Sequence, residues 1–364
     1  MPKDHFVPQF YLRHFGADTK RTIVVTVSPY RFIGIAPIDG QCQERNFYEN
    51  NSPLNQLLWR GENDMAPVLS NVIKNRDFIL AEANVLKYLA STLHTRTRKA
   101  AEVAKVFPKF MAREVIQNAI DRGELPPPPE GQLTEDMIDF GQVSGLLVQQ
   151  SFRCWLEMHT LDCKLLQTNS PANFITSDNP VVILNQFCVG FDPHRSHAGF
   201  SKSGFQLSLP ISPNLCVFLY DASVYKVGNR RDRVVSISKQ DVEIINSFQI
   251  QSAEMCLYFH DPILETQVKR LIDLYAPLRV SIRDSLRVIP LRAEKEELLH
   301  IRTPSAKLPG AWSFCRYRKH IKSKPGERRD PAWTEIVDRL MEDIEHNPDA
   351  GDLSARLEKI VGSL

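Results

Sequence analysis

His5, Gln9 and Arg13 recur at four-residue intervals near the start of the chain, and on a helix that spacing sets them side by side on one face. An imidazole serves as general base or metal ligand near neutral pH. A guanidinium clamps a phosphate or carboxylate through paired N–H groups. Two further charges interrupt apolar helical stripes: Glu62 falls between Leu58 and Met65, and Arg96 follows Leu86, Leu89 and Leu93. A charge on a buried face is costly unless it is partnered, so these two either pair with each other or line a polar cavity. Ser177-Asp178-Asn179-Pro180 supplies a second carboxylate at a strand end, with Asn179 held extended by the proline. Asp178 reads either as a site carboxylate or as the backbone cap of a tight turn.

Glu62 on a helix, Asp178 at a strand end and a later strand with Gln206-Leu207-Ser208 resemble, in order, the layout of PD-(D/E)xK nucleases. That resemblance implies a divalent metal ion held by Glu62 and Asp178, with His5 as ligand or base and Gln9 beside it. Arg13, Arg96, Ser177 and Asn179 would then hold the substrate. Ser208 stands where that pattern needs a lysine, and Lys164 and Lys202 lack the spacing. On this reading the protein is a metal-assisted phosphodiester hydrolase. Its geometric expectation is that His5, Gln9, Glu62, Arg96 and Asp178 converge in one pocket between helices and sheet. No P-loop, GxGxxG, GxSxG or HExxH pattern occurs, so nucleotide and common hydrolase motifs give no lead.

The competing reading is a binding protein. Between Cys315 and Arg329 stand seven cations, Arg316, Arg318, Lys319, Lys322, Lys324, Arg328 and Arg329, against one acid, Glu327. Arg316, Arg318, Lys319, Lys322 and Lys324, with Trp312 and Tyr317 nearby, suit the phosphates of a nucleic acid, and they suit a solvated connector equally. Low apolar content predicts a mobile segment. Beyond it Asp330-Pro331 opens a helix with the stripe Trp333, Ile336, Leu340 and Ile344, and Asp352 opens another with Leu353, Leu357, Ile360 and Val361. Such a hairpin has too small a core to stand alone. It is expected to dock on its own domain, on a protein partner or on a second copy, and a chain ending at Lys307 is expected to keep the main fold.

The elements that must position these residues read as an α+β chain. A short N-terminal helix leads into the β-branched run Thr22–Val27 and a return strand near Ile35. Helical periods occupy the chain from Pro53 to about residue 162: one helix through Glu62, one running on to Ala100, one over Phe110–Ile120 and a long one capped by Thr134. Leu125-Pro-Pro-Pro-Pro-Glu-Gly131 interrupts them as a stiff connector. From residue 163 to about 292 short apolar runs bounded by turn residues read as a mainly antiparallel sheet packed on the helices. The expected division is a main domain over 1–292, a basic linker over 293–329 and a helical hairpin tail over 330–364. Phe187–Gly204 reads as a lid or rim loop.

The 364 residues are 43% hydrophobic with a net charge of +2, enough for a sizeable core and too balanced to name a partner. The seven cysteines follow no disulfide or zinc spacing, which suits a reducing compartment. No apolar run is long enough to span a bilayer. The expectation is a cytoplasmic protein without membrane association.

His5-x-x-Pro8-Gln9-Phe10-Tyr11-Leu12-Arg13-x-Phe15 is similar to the opening of the bacterial domain of unknown function 4238 family. Asn46-Phe-Tyr48, Glu62, Arg96-Thr97, Phe174–Val181 and Leu209-Pro-Ile-Ser-Pro213 follow in that family's order. The similarity extends to about residue 260. It implies a shared fold and brings no established reaction.

Overall fold

The computed structural model describes residues 3–45, 47–48, 53–127, 129, 144–169, 171–189, 199–279, 286–290, 297–301, 309–347, 356 and 360. Strand β1 (Lys3–His5) runs into α1 (Gln9–Leu12), one turn that tightens to a 3-10 turn through Phe15. Tyr11, Leu12 and Phe15 are fully buried, so the terminus is docked into the core. Gly16 ends the turn in an extended conformation, and its role is space: a Cβ there would lie 2.1 Å from the Asp18 carbonyl oxygen.

The β-branched run forms β2 (Arg21–Val27), which turns back as β3 (Tyr30–Pro37), and β4 (Gln43–Arg45) returns to pair with β1. Helices α2 (Pro53–Asn75), α3 (Leu80–Thr95), α4 (Arg98–Asp121) and α5 (Ser144–Glu157) follow. The helix expected to run on to Ala100 breaks instead at Arg96-Thr97. Thr97 turns extended and its hydroxyl accepts the Ala100 N–H, a threonine N-cap that starts a new helix. That new helix absorbs the separate one expected from Phe110. The cap expected at Thr134 and the middle half of the loop expected as a lid, residues 190–198, lie outside the described residues.

The second half supplies β5 (Asp162–Thr168), β6 (Thr176–Ser177), β7 (Val182–Leu184), β8 (Gln206–Ser212), β9 (Leu215–Tyr220), β10 (Tyr225–Val227) and β11 (Val234–Ile237). Then come α6 (Lys239–Ser252), β12 (Cys256–Phe259) and α7 (Glu265–Tyr275). The hairpin β13 (Leu286–Pro290) and β14 (Glu297–Ile301), strand β15 (Cys315–Tyr317) and α8 (Pro331–His346) complete the order.

The architecture is α+β, with two main sheets rather than the single one expected. One has five strands in the order β11-β5-β9-β8-β7, antiparallel except for the parallel β11–β5 pair. The other, β3-β2-β12-β6, joins the N-terminal hairpin to strands from the second half. β12 is the unexpected element, slotted between β2 and β6. Alternation along β2 explains the layering. Val24 faces a large core shared with Leu86, Leu89 and Leu93 of α3 and with β5, β8 and β9. Ile23 and Val25 face a second core with Leu257, Phe259 and α7 residues Val268, Leu271 and Ile272. Helices and five-stranded sheet therefore share one core across residue 162.

The segment expected to be mobile is held on the sheet. Trp312, Phe314 and Cys315 enter the large core against Phe218, and β15 pairs antiparallel with β10. Three apolar side chains and a strand ladder offset the ordering entropy that the flanking charges could not. Helix α8 is capped by Asp330 and docks Val337, Leu340 and Met341 on Leu156 of α5. Of the last helix, only Arg356 and Ile360 are among the described residues. Among the described residues no helix is long and apolar enough to cross a membrane.

Candidate functional site: a polar junction beside a cavity

The N-terminal ladder and the two charges on apolar stripes form one junction. Arg96, freed from helical geometry at the α3–α4 break, donates to Glu62 Oε1 at 2.7 Å, to the His5 carbonyl at 2.9 Å and to the Tyr48 hydroxyl at 3.1 Å. Burial alone disfavours the Arg96 cation, but Tyr48 and Glu62 overcome this and raise its pKa further. His5 Nε2 lies 3.1 Å from the Asp39 carbonyl and 3.2 Å from Gln9 Nε2, and Arg13 donates to Gln9 Oε1 at 3.1 Å. The His5 backbone carbonyl thus links the side-chain ladder of His5, Gln9 and Arg13 to the Glu62–Arg96 pair.

Asp178 serves a different purpose. Its carboxylate accepts the backbone N–H groups of Glu254, Met255 and Cys256 at 2.8, 2.7 and 2.9 Å, fixing the entry to β12. Desolvation raises its pKa, and the three N–H groups and nearby Lys99 oppose that rise. Ser177 donates to Gln249 Oε1 at 2.9 Å. Asn179 accepts from Thr97 at 3.0 Å and donates to the Ser252 carbonyl at 3.1 Å. Polar residues of α6 clasp the whole turn, with Gln249 donating to the Pro180 carbonyl at 2.7 Å and Asn246 accepting the Ile175 N–H at 3.0 Å.

These contacts leave the metal reading without support: Glu62 pairs with Arg96 and Asp178 accepts three backbone N–H groups, so each carboxylate already has partners of its own. Among the described residues no group of three or more His, Cys, Asp or Glu could hold a metal ion. Ser208, where the nuclease pattern needs a lysine, is wholly buried in β8.

Beside the junction lies a cavity of about 470 Å³. Its apolar wall includes Val103, Leu147, Val181, Ile183 and Phe200, and Asn179 borders it. His94 packs edge-on against Phe200 with ring centroids 5.2 Å apart, and burial lowers its pKa to about 4, so it is neutral. Lys99, the second residue of α4, reaches the cavity and donates to the Ser252 carbonyl at 2.9 Å. Desolvation, and secondarily Arg279, lower its pKa. Arg153 and Arg328 border the cavity too, each paired with Asp338 of α8. Glu157 between them has its pKa raised by desolvation.

A family model described as a protein of unknown function (DUF4238) matches residues 3–262. The chain belongs to this family. No curated protein and no solved structure matches it. The motifs that carry the DUF4238 likeness meet physically. Tyr11 of the opening motif hydrogen-bonds Thr176 of the central motif at 2.7 Å and donates to the Pro210 carbonyl of the third at 2.6 Å. Arg96 ties the opening motif to Glu62 and Tyr48. In this DUF4238 chain those motifs build the joint between helices and sheets, and Asn179 carries that joint to the cavity wall.

Lys99, His94, Arg153 and Glu157 went unrecognised as cavity residues in the sequence. Lys99 offered one signal, a cation three residues after the buried Arg96. That signal is legible only once the helix break at Thr97 is known, because the break re-aims the start of α4. Arg153 and Glu157 sit on an amphipathic helix where charges are ordinary.

Proposed function

We propose that the protein binds a small molecule with an apolar body and one anionic group in the cavity beside Lys99. The observation that carries this reading is an apolar cavity of ligand size with a desolvated ammonium on its wall. Lys99 donates to a backbone carbonyl, and although Asp178 and Glu254 lie near enough to favour its charge, desolvation outweighs them and neither forms an ion pair with it among the described residues. A carboxylate or phosphate ester entering the cavity would supply the counter-charge in a low-dielectric setting, where a charge-assisted hydrogen bond is strong. The apolar walls would take the body of the ligand by ordinary hydrophobic burial. A metal-assisted hydrolase needs free carboxylates, and Glu62 and Asp178 are both engaged, so the binding reading has the better support.

The test compares decanoate with decanol by thermal shift and calorimetry. Decanoate is expected to raise the melting temperature and decanol to do so less. Lys99→Met should remove the preference for the anion, and Val103→Phe, which fills the cavity, should weaken both. If neither probe binds the wild-type chain, the reading fails.

A further inference from the structure

The cations of the tail divide into two groups by what the fold does with them. Arg328 pairs with Asp338 at 3.6 Å, and Arg329 donates to Thr160 at 2.9 Å and to the Glu157 carbonyl at 2.7 Å. Those two hold the tail on the domain. Arg316, Arg318, Lys319, Lys322 and Lys324 are instead exposed. The single acid of the stretch, Glu327, accepts the Lys324 backbone N–H at 2.8 Å.

The strand register sharpens the contrast. β15 pairs with β10 so that Arg316 stands directly opposite Lys226, and both are exposed. Directly opposed residues share one face of an antiparallel pair, and like charges there are destabilising. Arg318 follows two residues after Arg316, and alternation along extended chain returns it to the same side. Its Nε donates to the Ala222 carbonyl, which fixes where the guanidinium lies. The platform beneath is firm, because Trp312, Phe314 and Cys315 are buried and Tyr225 packs against Tyr317 with centroids 5.3 Å apart. The fold thus sets Arg316 beside Lys226 on a fixed strand pair, with Arg318, Lys319, Lys322 and Lys324 following, and none of these cations has an ion-pair partner among the described residues.

We propose that the β10–β15 face and the loop after it bind the phosphate backbone of a nucleic acid without reading its sequence. Repulsion among fixed cations is relieved by a polyanion whose charges are regularly spaced, and release of that polyanion's counterions supplies the affinity. The half-exposed Tyr317 ring pairs with Tyr225 and alternates to the side opposite Arg316 and Lys226, so the proposed binding rests on phosphate contacts and not on stacking. An anionic membrane is the weaker match, since the half-exposed ring of this strand, Tyr317, is held against Tyr225 and Phe187 and is not free to insert.

The test uses the full chain and fluorescein-labelled oligonucleotides of about twenty nucleotides, single-stranded and duplex, followed by anisotropy across salt. With Lys226, Arg316, Arg318, Lys319, Lys322 and Lys324 engaged, the slope of log K against log salt is expected near about −5 for duplex and about −4 for single strand. Replacing Arg316, Lys319, Lys322 and Lys324 together by serine should cut affinity at least about tenfold and make the slope shallower by about 3. Arg316→Glu separates folding from binding: it pairs with Lys226 and should raise the melting temperature while weakening the oligonucleotide. The proposal is overturned if the wild type shows no salt-dependent binding in low salt, or if the serine variant binds with unchanged slope. It is overturned equally if phosphatidylserine vesicles bind and oligonucleotides do not. None of these substitutions touches the cavity, so the outcome is independent of the small-molecule reading.

Discussion

Arg96 and Glu62, 34 residues apart, meet through a 2.7 Å contact at the break between α3 and α4. The pair is unequal, with 5% of the Arg96 side chain and 27% of the Glu62 side chain exposed. Arg96 also holds the His5 carbonyl and Tyr48, so it is the joint's fixed point.

Removing each partner should therefore cost different amounts. Arg96→Met leaves the His5 carbonyl and Tyr48 unpaired and is expected to destabilise by about 3 kcal/mol. Glu62→Gln keeps an acceptor and lets water reach the site, so about 1 kcal/mol is expected. Urea midpoints at constant slope measure both. Equal losses would show that the carboxylate, and not the three-way grip of Arg96, is what matters.

Asp178→Ala orphans three backbone N–H groups at the entry to β12 and is expected to cost at least about 2 kcal/mol. Because those groups occupy the carboxylate, a calorimetric titration with Mg²⁺ or Mn²⁺ should show no heat that depends on Asp178. A binding isotherm lost in the variant, with its melting curve intact, would restore the metal reading.

His94 gives the stability a direction in pH. Its pKa is about 4 in the fold because it is buried, and about 6.5 in the unfolded chain. The unfolded chain thus takes up the proton first. The contribution of the neutral ring is complete above about pH 6.5 and is lost as pH falls toward about 4, a change of at most about 3 kcal/mol. Melting temperature from pH 7.5 down to 4.5 should fall less steeply in His94→Phe than in wild type, and parallel curves would count against it.

A chain ending at Lys307 was expected to keep the main fold when read from sequence. The packing of Trp312 and Phe314 on Phe218, and of Val337 and Leu340 on Leu156, argues for the opposite outcome. Losing them should uncover both cores and lower the melting temperature sharply or abolish the cooperative transition. Truncation after Asn347 retains these contacts and should melt as a single cooperative unit. An unchanged near-UV signal in the shorter chain would show that the tail is dispensable.

Much of the architecture lay in local pattern. The β-branched run at Thr22–Val27 becomes a strand, the stripe Leu86, Leu89, Leu93 becomes a buried helix face, and Asp330-Pro331 opens α8. The motifs carrying the family likeness were likewise visible as residues out of keeping with their surroundings: a charge on an apolar stripe, or a polar turn between apolar strands. Local spacing and propensity determine such features because each depends on neighbours within a few residues.

What those residues do was decided by tertiary structure. Glu62 and Asp178 look alike in sequence as candidate ligands. One meets Arg96 and the other meets three N–H groups at the entry to a strand, 76 to 78 residues away. The basic segment read as mobile because its own composition is poor in apolar side chains, yet Phe218 and the free edge of β10 lie where it passes. The cavity has no sequence signature, since its walls come from α3, α4, α5, α6 and α8, from the turn at Asn179 and β7, and from the segment around Phe200. Pairing energies and shared burial are properties of contacts between distant segments, and only the folded chain brings those segments within reach.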